Sequence, residues 1–236
     1  MSTVDVLAIA AHPDDVEISC GGLLIRMAEQ GYRTGVLDLT RGELGTRGSG
    51  EIRSREAATA AEIMGLALRE NADLPDSRLA LNDASRACVA ACIRRLRPSL
   101  VILQSDGQRH PDHNASSAIG YAGIFAAGLS KLPVEGPAHR PGQVLHSVVD
   151  GWRKPSFYVD ITAQMDRKLR AIAAYPSQFG DWPPAGVELG DDAYSRIACT
   201  ARHFGTRCGV RYAEAYSIEQ AMLVTDPLAQ LRLQPV

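Results

Sequence analysis

The chain alternates between short apolar runs and amphipathic stretches, and this alternation constrains the fold more than any other feature. "VDVLAIAA" (4–11) and "SLVILQS" (99–105) are runs of the kind found in strands buried on both faces. "TGVLDLT" (34–40) reads as another strand and "ALRENADL" (67–74) as a weaker one. Residues 16–30 suit a helix stopped by Gly31, and 52–65 and 83–96 are helical, the latter halted at Pro98. "GELGTRGSGE" (42–51) reads as a polar loop. A helix of small residues, "SAIGYAGIFAAGL", follows "DGQRHPDHNAS". Strands alternating with helices imply βαβ units, hence an α/β fold: a Rossmann-like, mostly parallel sheet flanked by helices. Beyond about residue 130 the pattern changes into an elaborated C-terminal third. "VLHSVVD" and "SFYVDIT" read as strands joined too closely for a crossover helix, which suggests an antiparallel pair. Helices follow around 163–174 and 191–205, then a strand near "VRYAEAYSI". With no internal repeat and no linker, residues 1–236 are expected to form a single domain.

Composition excludes more than it selects. A chain that is 45% hydrophobic and 22% charged can fill an ordinary core. A formal net charge of −2 gives no sign of a nucleic-acid partner. No run approaches the ~18 apolar residues of a membrane span, and the N-terminus lacks a basic leader, so a cytoplasmic protein is expected. The five cysteines are odd in number and irregularly spaced, which argues against a disulfide framework. Cys88 and Cys92 fall on one helical face and read as core residues; Cys20 follows the first polar cluster but sits in a helical pattern.

Two polar clusters carry the chemistry: "HPDD" at 12–15 and "HPDH" at 110–113. Each directly follows a buried-type strand. In open α/β sheets, ligands bind outside the carboxyl ends of strands where the strand order reverses. With a 3-2-1-4 order, the first and fourth strands are neighbours and the two clusters meet in one crevice. One such motif alone would serve equally well as a turn and helix cap. Two at equivalent positions of adjacent strands assemble His12, Asp14, Asp15, His110, Asp112 and His113. Two imidazoles and a carboxylate are a ligand set for catalytic zinc, with a further carboxylate left to take a proton from water. The spacing alone leaves open which of Asp14 and Asp15 binds the metal.

"AHPDD" followed about a hundred residues later by "HPDH" resembles the LmbE-like, or PIG-L, family of zinc-dependent N-deacetylases. "LDLTRGELGTRGSGEIRSREA", "AHRPGQ", "KPSFYVDIT" and "AYPSQF" look like the branch that deacetylates N-acetylglucosaminyl malate in bacillithiol biosynthesis. The resemblance implies that His12, Asp15 and His113 bind Zn²⁺, with Fe²⁺ or Mn²⁺ also accommodated by such a set. It implies that Asp14 is the general base, that His110 stabilises the oxyanion or protonates the leaving amine, and that Asp112 orients His110 and favours its charged form. Arg53 resembles a sugar-binding arginine. Arg109 is a candidate partner for a malate carboxylate and Glu43 for sugar hydroxyls. Tyr194 is a candidate oxyanion donor, and His139 a candidate for the site or a subunit contact. His146 and His203 are expected to have no catalytic role. The expected partner is a small N-acetyl sugar, with neither nucleic acid nor membrane, and the family implies a homo-oligomer, hexamers included. Other acceptors (a mycothiol-like precursor, a natural-product intermediate, a chitooligosaccharide) keep the same chemistry. The contrasting class is a sugar-binding module without catalysis; the first βα turn lacks the glycine fingerprint of dinucleotide binding.

Overall fold

The computed structural model describes residues 3–149, 153–180 and 192–226. Its strands are β1 (Val6–Ala10), β2 (Thr34–Asp38), β3 (Leu68–Asn71), β4 (Leu100–Gln104), β5 (Gln143–Val148), β6 (Phe157–Asp160) and β7 (Ala213–Ser217). Its helices are α1 (Asp15–Glu29), α2 (Gly50–Met64), α3 (Asp83–Leu96), α4 (Pro111–Ala127), α5 (Met165–Ala173), the short α6 (Pro176–Phe179) and α7 (Ala193–Cys208). All seven strands join one sheet in the order β3-β2-β1-β4-β5-β7-β6. The first five strands are parallel, and β1 lies between β2 and β4. The strand order therefore reverses between β1 and β4, as the crevice argument requires.

Alternation along β1 divides the core. Leu7 and Ile9 pack with Val89, Ile93 and Ile119 of α3 and α4. Val6, Ala8 and Ala10 face Val16, Leu24 and Ala171 of α1 and α5. Every residue of β1 is buried, which is why its sequence is apolar without a polar alternate. Local chemistry sets the helix ends. Asn82 and Ser85 form a reciprocal capping box at α3, and Arg97, in a left-handed conformation, ends it before Pro98. Gly65, at φ +70°, ends α2.

Three expectations are corrected. β5 and β6 do not form an antiparallel pair, because β7 lies between them and is antiparallel to both. The short connection leaves room for a strand inserted from 60 residues further on, which local pattern does not reveal. The helix expected after "DGQRHPDHNAS" starts earlier, inside the second cluster, with Pro111 at its first turn and His110 as N-cap. Proline needs no N–H partner there, so the motif itself nucleates α4. The last long helix runs Ala193–Cys208; the expected start at 191 lies outside the described residues.

α1 is drawn close to the sheet by the pair Gly21–Gly22. A Cβ on Gly22 would lie 2.8 Å from Ile161 and 2.9 Å from Glu214. The space goes to hydrogen bonds: the Gly22 and Leu23 N–H groups donate to the buried Glu214 carboxylate, each at 2.8 Å. Lys168 pairs with Glu214 at 2.5 Å, and the Tyr216 hydroxyl donates to it at 2.7 Å. Nearer the site, Tyr175 donates to Glu17 at 2.8 Å, and Arg69 binds both Glu17 and Asp38. This places "AYPSQF" under the start of α1.

Candidate active site

The polar clusters meet at the carboxyl ends of β1 and β4. The Ala11 N–H donates to Oε1 of Gln104 at 2.9 Å, tying the two strand ends together one residue before His12. One ligand atom from each of His12, Asp15 and His113 lies within 4.8 Å of the others. Nδ1 of His12 is 3.3 Å from Asp15, and Nε2 of His113 is 3.1 Å from the other oxygen of the same carboxylate. Asp15 thus stands between two imidazoles at the first turn of α1. Two nitrogens and a carboxylate oxygen at this separation suit a tetrahedral divalent cation with a position left open. A second set, His12, His110 and Asp112, shares His12 and meets the same distance limit.

Burial pushes the Asp15 carboxyl up, but hydrogen bonds and charge from His113 and His12 overcome it and hold the group well below the usual range. Burial lowers His12, yet Asp15, Asp76 and Asp14 outweigh it and raise the imidazole to about 9. Asp14 is raised well above its ordinary value, by burial first and by the adjacent Asp15 next, with Arg53 opposing.

Asp14 is held unusually. It is the N-cap of α1 with φ +107°, ψ −29°, and its side chain makes no cap bond. A non-glycine residue there costs about 1–3 kcal/mol and persists only where its surroundings impose it. The restraint is Arg53, whose Nη2 pairs with Asp14 at 2.9 Å and also donates to the Pro13 carbonyl. Gly42, at φ +63°, makes room: a Cβ there would lie 2.1 Å from Arg53 Nη1. The buried Arg53 therefore aims Asp14.

Asp112 holds His110 through its backbone rather than its carboxylate. Its carboxylate accepts from the Ser77 N–H at 2.7 Å and lies 3.4 Å from His12 Nε2. His110 is fixed instead by the Asp112 backbone, whose N–H donates to its Nδ1 at 3.2 Å. Burial, then the neighbouring His113 and His12, lower His110 overall, while the Asp112 charge acts to raise it as expected. The first turn of α4 explains this: with His110 as N-cap, the Asp112 side chain projects across the crevice toward β1. With Nδ1 accepting that N–H, Nε2 is the nitrogen of His110 left to carry a proton.

Glu43 is exposed and accepts from the Asp76 N–H at 3.0 Å, and Arg109 is exposed on the loop before α4. The Tyr194 hydroxyl donates to the Gly180 carbonyl at 3.2 Å, so an oxyanion role requires it to leave that partner. His139 binds the Pro98 carbonyl at 2.8 Å, at the opposite end of β4 from the site, which removes it from the catalytic candidates. Cys20 is buried in the α1 core, and burial pushes its thiol up, away from a ligand's thiolate.

Sequence reasoning missed Asp76. This buried carboxylate sits 3.1 Å from His12 Nε2 and accepts from the Leu44 and Ser77 N–H groups. A carboxylate on the outer nitrogen of a metal-binding histidine orients the ring and raises its basicity. Its one signal is position: "DLPDS" follows β3 at the same end of the sheet.

The chain matches the model of PIG-L, the GlcNAc-PI de-N-acetylase family, over residues 7–124. It is 31% identical to the diacetylchitobiose deacetylase of Thermococcus kodakarensis, over 89% of this chain and 80% of that protein. A 4-oxalmesaconate hydratase of Pseudomonas putida is 25% identical over 81% of this chain and 77% of that protein. The crystal structure of the conserved protein TT1542 from Thermus thermophilus superposes with a TM-score of 0.87 and 38% identity, covering 94% of this chain and 98% of that one. With both polar clusters meeting at the β1–β4 reversal, the chain belongs to the PIG-L family of N-deacetylases.

Proposed function

We propose that this N-deacetylase acts on N-acetylglucosaminyl malate, releasing acetate and the free amine of the sugar. The observation that carries the chemistry is the convergence of His12, Asp15 and His113 within 4.8 Å, beside an Asp14 that makes no cap bond. The finer substrate assignment is supported by the bacillithiol-type segments of the sequence. It is also supported by the exposed Arg109 before His110, whose guanidinium suits a malate carboxylate.

Zinc, or Fe²⁺ or Mn²⁺ in its place, would be held by His12, Asp15 and His113 and would supply Lewis acidity at the acetyl carbonyl and a water of lowered pKa. Asp14 takes a proton from the attacking water, aimed by its ion pair with Arg53. His110, its Nδ1 taken up by the Asp112 N–H, donates from Nε2 to charge developing on the carbonyl oxygen. Asp76 and Asp112 hold the outer edge of His12. Glu43 and Arg109 line the approach and take the sugar hydroxyls and the aglycone, and Tyr194 joins as a second oxyanion donor once released from Gly180. The working protein is proposed to be a cytoplasmic homo-oligomer. Among the described residues no helix is long and apolar enough to cross a membrane.

The test is release of free amine from N-acetylglucosaminyl malate, diacetylchitobiose, an N-acetylglucosaminyl inositol and N-acetylglucosamine by zinc-loaded protein. Preference for the malate conjugate, at least tenfold in kcat/KM, is expected, and an Arg109→Ala variant should lose that preference. Equal turnover of all four would overturn the malate assignment. Asp14→Asn should retain zinc while kcat falls about 10²–10⁴-fold, the usual worth of a general base. Wild-type turnover in that variant would remove Asp14 from the mechanism.

A further inference from the structure

Each candidate metal-binding histidine presents one nitrogen to Asp15 and the other to a second partner, but the two second partners differ in kind. His12 has a carboxylate, Asp76, 3.1 Å from Nε2. His113 has an amide: Oε1 of Gln108 lies 2.8 Å from Nδ1. The orientation of that amide is not arbitrary. Its nitrogen donates to the Ser105 carbonyl at 2.8 Å, and a carbonyl oxygen can only accept. The amide oxygen must therefore face His113, and Nδ1 of His113 must carry the proton. The other nitrogen, Nε2, lies 3.1 Å from Asp15 and is the one left for a cation. Gln108 is itself held by a two-way clamp with the residue after His113: its N–H donates to the Asn114 side-chain oxygen at 2.9 Å, and its carbonyl accepts from the Asn114 amide at 2.8 Å.

We propose that Gln108 is a positioning residue for the metal site: it fixes the Nδ1–H tautomer of His113 and so presents the Nε2 lone pair to the cation. An amide does this without adding a negative charge. The cluster already holds Asp14, Asp15, Asp76 and Asp112, and a fifth anion would tighten the site at the expense of its Lewis acidity. The inference rests on the metal reading of His12, Asp15 and His113.

The test uses full-length protein and zinc alone. Imidazole ¹⁵N spectra of the zinc-loaded protein should show His113 with its proton on Nδ1. Zinc affinity, from competition with a chromophoric chelator, should fall about 10–100-fold in Gln108→Leu, with the tautomer redistributed. Gln108→Glu separates the two contacts of the side chain. It keeps an acceptor for His113 and loses the donor to Ser105, so its affinity should return to wild type or above. If Gln108→Leu binds zinc within twofold of wild type, or if Gln108→Glu is as weak as Gln108→Leu, the proposal is wrong and the loop contact alone matters. Failure of the wild-type protein to bind zinc would instead overturn the metal reading on which it rests.

Discussion

Metal affinity should depend steeply on pH through His12. In the metal-free protein, burial opposes the charged imidazole, but Asp15, Asp76 and Asp14 raise its pKa to about 9. A histidine must be neutral to bind a cation, so the cation has to displace that proton. At pH 7, two units below the pKa, about one molecule in a hundred has His12 deprotonated. The apparent association constant should rise about tenfold per pH unit from 7 to 9 and level off above. The span is about 100-fold, or about 2.7 kcal/mol at 1.36 kcal/mol per unit. Chelator competition at half-unit steps from pH 6.5 to 10, corrected for the chelator's own protonation, measures it. Asp76→Asn removes one of the raising anions, so the break should move to lower pH while the plateau affinity falls about 10–100-fold. A flat profile between pH 7 and 9 would refute the reasoning, because His12 would then already be neutral in the metal-free protein.

Arg53→Met should abolish most turnover and shift the acid limb of the kcat profile upward by about 1–3 pH units, since Arg53 opposes the burial that raises Asp14; Arg53→Lys should recover part of the shift. Gly42→Ala should reproduce a milder form of that loss, because the new Cβ would lie 2.1 Å from Arg53 Nη1; steady-state kinetics on the two variants makes the comparison. Away from the site, Lys168→Met leaves the buried Glu214 without its cation and should cost about 3–5 kcal/mol, seen by calorimetry as a melting point roughly 10 °C lower. A loss smaller than about 1 kcal/mol would show that the pair is not the source.

Much of the fold was legible because it is local. Buried parallel strands need unbroken apolar runs, so β1, β2 and β4 announce themselves, and their helices carry periodicity and caps. β3 was weaker because its residues are only half-buried. β7 was legible as a strand but not as the partner of β5 and β6, since nothing near 213–217 encodes pairing with residues 53–71 positions away. His12, Asp14, Asp15, His110, Asp112 and His113 were visible as residue types at the ends of strands that had to be neighbours. Their relations to one another were not.

The sequence by itself determined the alternating α/β architecture, the two clusters at its switch point and the ligand chemistry they offer. These follow from periodicity and from side-chain types within a few residues. The tertiary structure decided which group faces which. It put Asp112 on His12 rather than on His110, turned Arg53 onto Asp14, and brought Asp76 from the loop after β3 to the outer edge of His12. The physical reason is that hydrogen-bond partnership depends on direction to within a few tens of degrees. That direction is set by the first turns of α1 and α4 and by loops meeting from four strands, not by spacing along the chain.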